Sequence, residues 1–187
     1  MYWQVYLHKT VLSAEFLLEK IILRASNLLK AGENLFVTDA IKLFLSNDID
    51  ENKLSESSVL KSFASLDDYD VLSCVKNWVF SSDKVLCKLC EMLVNRTLPK
   101  VRISSTPFSN QEITDLRNKH QKKLGVNTND MEYFVFSEDM ENNAYNPKKD
   151  EIKILFKDGT LKDIMDASDN LNIRALSNTV KKYYLFA

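Results

Sequence analysis

The chain has 187 residues, 45% hydrophobic and 27% charged, a balance that describes a folded globular protein of one large domain or two small ones. Its formal net charge of −1 gives no global basic footprint for nucleic acid. Gly32, Gly125 and Gly159 stand far apart, which excludes the clustered glycines of dinucleotide-binding and P-loop motifs. His8 and His120 are the only histidines, so no site built from three or four of them forms within one chain. Cys74, Cys87 and Cys90 form an odd set with no signal peptide ahead of them, so a reducing cytoplasm is the expected compartment. No apolar run approaches the roughly 18 residues of a membrane span.

Composition shifts near Pro99 and divides the chain into a helical region, 1–98, and an α+β lobe, 99–187. In the first region Trp3, Tyr6, Leu7, Val11, Ala14 and Leu17 begin an apolar stripe that continues to Leu28, the pattern of one long helix stopped by Gly32. Met1-Tyr2-Trp3 lies inside that pattern with no capping residue before it, so the chain is expected to begin partway along a helix. Shorter helices are expected over 39–46, 58–65, 68–80 and 84–96, opened by Thr38 or Asp39, Ser57 or Ser58, Asp67 or Asp68, and Asp83. The acidic stretch 48–56 reads as a loop.

Beyond Pro99, residues 101–104 read as a short strand, and Ser109-Asn-Gln-Glu112 reads as a capping box opening a polar helix that Gly125 stops. Residues 132–136 read as a strand. Ile152, Ile154 and Phe156 alternate with Lys153, Leu155 and Lys157 as in a half-buried strand, and Asp158-Gly159 is a turn. Residues 161–167 suit helix or strand, 170–177 helix, and 180–186 a closing strand. The fold class is therefore mostly α, with a small antiparallel sheet and helices in the C-terminal half.

Three segments carry possible chemistry. Cys87-Lys-Leu-Cys90 is a CxxC, but no second pair accompanies it and it falls in mid-helix, so its thiols are expected to pack as small hydrophobes. From Arg96 to Lys123 there are seven Lys/Arg against two Asp/Glu, centred on Lys119-His-Gln-Lys-Lys123. That cluster could hold a phosphate, and reads first as a solvated helix face with cations near its C-terminus. Its few aromatics argue against single-strand stacking, which puts nucleic acid last among the partners. On a continuous helix Tyr2, Tyr6 and Lys9 would share one face at i, i+4 and i+7, offering rings for a sugar or base and an ammonium for phosphate.

Met1–Glu15, MYWQVYLHKTVLSAE, resembles the Tyr-x-His-Lys helix of HD-domain phosphohydrolases of the deoxynucleoside triphosphate triphosphohydrolase type. In order along the chain, LDDYDVLSCVKNW at 66–78, LVNRTLPKVR at 93–102 and YNPKKDEIKILFKDG at 145–159 are similar to later stretches of that family. The resemblance implies that Tyr6 packs on the substrate sugar and that Tyr2, one turn earlier, also faces substrate. It implies that His8 and Lys9 correspond to a pair that contacts effector nucleotides at subunit interfaces. It further implies a divalent metal in the full-length enzyme, held by a His, a His-Asp pair and a later Asp, that activates water for attack on phosphorus. Here the pairs are His8-Lys9 and His120-Gln121, so the HD metal motif is absent and no catalytic or metal-binding residue is assigned.

The chain is thus expected to be the C-terminal region of such an enzyme. It would supply nucleotide-pocket and oligomer-interface residues, assemble as a homo-oligomer, and lack hydrolysis of its own. The alternative is a non-catalytic regulatory or protein-interaction module on the same scaffold.

Overall fold

The computed structural model describes residues 2–142, 152–167 and 180–187. A 3-10 turn, Tyr2–Gln4, leads into α1, Lys9–Lys30. Then follow α2 (Asp39–Ser46), α3 (Glu51–Leu54), α4 (Ser57–Ser65), α5 (Asp68–Trp78) and α6 (Lys84–Val94). The chain crosses into β1 (Val101–Ser104), α7 (Asn110–Leu124), a 3-10 turn (Asn129–Tyr133) and β2 (Phe136–Asn142). A hairpin of β3 (Lys153–Leu155) and β4 (Leu161–Asp163), the short α8 (Ile164–Ala167) and β5 (Val180–Phe186) complete it. This is the expected class: helices first, then a small antiparallel sheet with helices.

The caps account for most helix starts. The Thr38 hydroxyl accepts from the Ile41 N–H, and Asp67 and Asp70 form a reciprocal capping box on α5. Asp83 accepts from the Leu86 N–H at 2.8 Å. At α7 only half of the expected box forms. Ser109 accepts from the Glu112 N–H, but the Glu112 carboxylate pairs with Arg102 at 2.8 Å instead of reaching back.

Four further expectations are corrected. The first helix opens at Lys9, not at the start of the chain, because His8 caps it and because Trp3 and Leu7 are drawn onto the sheet. Lys182 lies over the Trp3 ring at 4.1 Å, and the Tyr184 hydroxyl donates to the Leu7 carbonyl at 3.2 Å. The 48–56 stretch contains α3, capped by Asp50. Residues 132–136 begin in a 3-10 turn, in which the Phe134 and Val135 N–H groups both donate to the Met131 carbonyl, and only Phe136 enters β2. The hairpin is not half-buried: Ile154 and Leu155 are 36% and 68% exposed, although Asp158-Gly159 does turn it. Residues 170–177 lie outside the described residues.

The sheet runs β1-β5-β2, all antiparallel, with Phe186 opposite both Val101 and Phe136. One face of β5 carries Tyr184 and Phe186 against Leu12, Phe16 and Phe136, where the Phe136 and Phe186 rings stack at 4.8 Å. From the other face Leu185 enters the main core. That core joins Leu17, Ile21 and Ala25 of α1 to Trp78 of α5, Leu86 and Leu89 of α6, and Met131, Tyr133, Phe134 and Val135. Apolar side chains from both sides of Pro99 therefore close one interior. Two polar ties fix α1 across it. Buried Ser13 donates to the Pro99 carbonyl at 2.9 Å, and Arg24 reaches Asp83 and Asp130.

Candidate functional site

α6 ends in a tight reversal: the Arg96 N–H donates to the Leu93 carbonyl and the Thr97 N–H to the Met92 carbonyl. α1 ends the same way, with Gly32 donating to Leu29 and Glu33 to Leu28. This motif places one residue in the left-handed region, normally glycine. Gly32 sits there at φ 87°, but in α6 the position is taken by Arg96 at φ 56°, the only non-glycine residue with positive φ among the described residues. A side chain at that position carries a steric cost of about 1 kcal/mol, and such strain collects at functional positions.

The reversal brings Arg96 toward the first turn of α1. The Ser13–Pro99 hydrogen bond holds the crossing segment against that turn. Between them lies a groove of about 460 Å³, lined by Lys9, Thr10 and Ser13 from α1 and by Arg96, Leu98 and Lys100 from the crossing. Among the described residues, three cationic side chains, no carboxylate side chain, and the N-terminal end of a 22-residue helix thus border one space. The partial positive charge of the helix end adds to that of the side chains, so the groove suits an anion, above all a phosphate.

Of the four sequence-selected residues, Lys9 alone lines this groove. His8 Nδ1 accepts from the Thr10 N–H at 3.3 Å, which places the proton of the neutral ring on Nε2 and makes the imidazole a helix cap. Tyr6 is 60% exposed in the turn between the 3-10 segment and α1, and Tyr2 lies in the 3-10 segment itself. The single helical face once expected for Tyr2, Tyr6 and Lys9 does not exist, because the helix begins at Lys9. The sequence counts Arg96 and Lys100 among the cations of 96–123 that could hold a phosphate, but gives no sign that they meet Lys9. The available signal for the reversal itself was Asn95-Arg96-Thr97, a helix stop without a glycine.

The thiols behave as expected. Cys74 and Cys90 are fully buried, and the Cys87 thiol donates to the Val79 carbonyl. Burial pushes all three thiol pKa values up, Cys90 to about 12, so none is a ready nucleophile. The basic cluster is a solvated helix end as expected, with Lys119, Lys122 and Lys123 exposed, and Lys119, His120 and Lys123 also border a groove with Leu116 and Leu124.

Among the described residues, no three His, Cys, Asp or Glu side chains come together as a metal site would require. The described side chains therefore do not fit the divalent ion that the resemblance implies for the full-length family enzyme. No helix among the described residues is long and apolar enough to cross a membrane.

The scaffold is phosphohydrolase-like. The crystal structure of a phosphohydrolase, BT4208 of Bacteroides thetaiotaomicron, superposes over 100% of this chain with a TM-score of 0.85 and 42% sequence identity. The protein YwfO of Bacillus subtilis (strain 168), described as uncharacterized, is 31% identical over 175 residues, 88% of this chain. This chain spans less than half of either relative, 46% of the first and 37% of the second. No family model matches.

Proposed function

We propose that this chain is the C-terminal region of an HD-superfamily (deoxy)nucleoside triphosphate phosphohydrolase, contributing a nucleotide-phosphate groove but no metal ligands. The observation that carries the proposal is the convergence of Lys9, Arg96 and Lys100 on one groove at the start of α1. The likeness to a phosphohydrolase over the whole chain supports the reading. In it, Lys9 and Arg96 neutralise phosphate oxygens, His8 fixes the helix start that presents Lys9, and exposed Tyr6 is offered to the sugar, with Tyr2 beside it in sequence. Metal activation of water is assigned to ligands that the described residues do not assemble.

The test is release of phosphate or triphosphate from deoxynucleoside triphosphates with Mg²⁺ or Mn²⁺. This chain is compared with one extended at its N-terminus by the corresponding region of the phosphohydrolase. The extended protein is expected to hydrolyse nucleotide and this chain alone to be inactive. Hydrolysis by the 187-residue chain would refute the division of labour, and an inactive extended protein that still binds nucleotide would favour a regulatory module.

A homo-oligomer is part of the same proposal. Phe80 is 88% exposed, and Tyr69, Phe63 and Leu60 are also largely exposed, and burial of these side chains against a second copy would favour self-association. Light scattering at low micromolar concentration is expected to give a mass above that of one chain. A clean monomer would remove this element.

A further inference from the structure

A second and larger groove lies on the other side of the crossing segment, between the end of α6, β1, α7 and the end of β5. Its volume is about 750 Å³, inside the range of about 300–1,000 Å³ typical of small-molecule sites. Half-buried Leu98, Leu116 and Leu124 contribute apolar surface to it, over a floor of Phe134 and Leu185 that is almost wholly covered. Lys100, Lys119, His120 and Lys123 add basic groups. On α7, Leu116, Lys119, His120, Lys123 and Leu124 recur at helical spacing, so one helix face supplies both the apolar surface and the cations.

Charge in this groove is unbalanced. Arg102 also lines it, but its guanidinium is committed to Glu112 at 2.8 Å and lies over the Phe108 ring. Among the described residues Lys100, Lys119 and Lys123 have no ion-pair partner. Among the described residues no Asp or Glu side chain lines the groove. In the 187-residue chain the α-carboxylate of Ala187, at the groove's edge, accepts from the Lys100 backbone N–H at 2.8 Å, so one anion faces the cations of Lys100, Lys119 and Lys123. Cations clustered beside low-dielectric apolar surface repel one another more than they would in open water, and an anion relieves that repulsion.

The shape of the apolar surface narrows the class of anion. It is aliphatic apart from Phe134, a residue only 4% exposed, which offers no platform for a stacked base. We infer that this groove binds one amphiphilic anion, an alkyl or acyl chain lying on the leucines with its phosphate or carboxylate among Lys100, Lys119 and Lys123. Burial of the chain and charge-assisted hydrogen bonds to the head group act together, so neither part alone binds well.

The test is calorimetric titration of the 187-residue chain with decyl phosphate below its micelle concentration, beside inorganic phosphate and decanol. The expected result is one saturable site for decyl phosphate, with at least tenfold weaker binding of each comparison ligand. Lys119→Glu combined with Lys123→Glu is expected to weaken binding at least tenfold with an unchanged circular dichroism spectrum. Lys122→Glu, on the same helix but outside the groove, is expected to leave it unchanged. Lys100 is spared because it also lines the smaller groove. Equal binding of inorganic phosphate or decanol, an equal loss in Lys122→Glu, or no saturable binding would each overturn the inference. So would capture by phosphatidic acid vesicles that decyl phosphate does not compete away, since the chemistry would then lie at a lipid surface.

Discussion

Arg24→Ala is expected to destabilise the chain by about 2–4 kcal/mol, somewhat below the usual loss for a fully buried ion pair. Arg24 donates two hydrogen bonds to Asp83, at 2.7 and 3.0 Å, and one to Asp130 at 3.2 Å. Its guanidinium lies over the Tyr133 ring at 5.4 Å. All three charged side chains are only 19–20% exposed, so removal of the cation leaves two carboxylates close together with little water to replace it. The loss also spreads. Asp83 is the N-cap of α6, and Asp130 and Tyr133 belong to the turn that feeds Met131 and Val135 into the core. For a chain of this size the midpoint of thermal unfolding is expected to fall by roughly 5–15 °C. Lys30→Ala removes a pair with exposed Asp48 and is expected to leave the midpoint unchanged. If the two variants melt together, the Arg24 cluster carries no stability.

The same cluster gives the chain a definite response to acid. Burial alone would raise the Asp83 carboxyl pKa, but the Arg24 guanidinium and the N–H groups of Leu86 and Val85 outweigh it and hold the value below the ordinary carboxylate range. A carboxyl depressed in the folded state stabilises fully above its unfolded value, about 3.9. That contribution is lost as pH falls through the lower folded value. In Arg24→Ala the depressing partner is gone, so the acid-dependent part of the stability curve below about pH 4 should flatten.

Local chemistry was legible in the sequence, and long-range geometry was not. Thr38, Asp67, Asp83 and Ser109 each cap the helix that the sequence assigned to them, since a cap depends only on residues within one turn. The strands 101–104 and 180–186 were read at their observed bounds. The segment ahead of Lys9 was misread because Trp3 and Leu7 repeat at helical spacing for another reason: they pack on β5, to which nothing local points. The anion groove was equally hidden. It depends on the Ser13–Pro99 hydrogen bond, which joins residues 86 positions apart. The CxxC was legible in part: Cys90 is buried as the apolar period implied, whereas Cys87, in the first turn of α6, is half-buried and donates to the Val79 carbonyl.

Arg96→Gly is expected to move stability and ligand binding in opposite directions. At φ 56° the Arg96 Cβ sits in backbone space that glycine occupies without strain, as Gly32 does in the matching reversal after α1. Relief of that strain, set against the greater freedom of glycine in the unfolded chain, leaves a net gain of about 0.5–1 kcal/mol. A rise of roughly 1–3 °C in the unfolding midpoint follows. The same substitution removes one of three cations from the groove. A hydrogen bond between charged partners contributes about 1.5–3 kcal/mol, so deoxynucleoside triphosphate binding is expected to weaken by roughly 10–100-fold. Lys9→Ala provides the contrast: it should lower binding without raising the midpoint, because Lys9 occupies ordinary helical backbone. Calorimetric titration beside a thermal melt reads both quantities. A more stable Arg96→Gly chain that binds nucleotide as well as the parent would show that the strained backbone serves the turn alone and that the triphosphate does not lie in this groove.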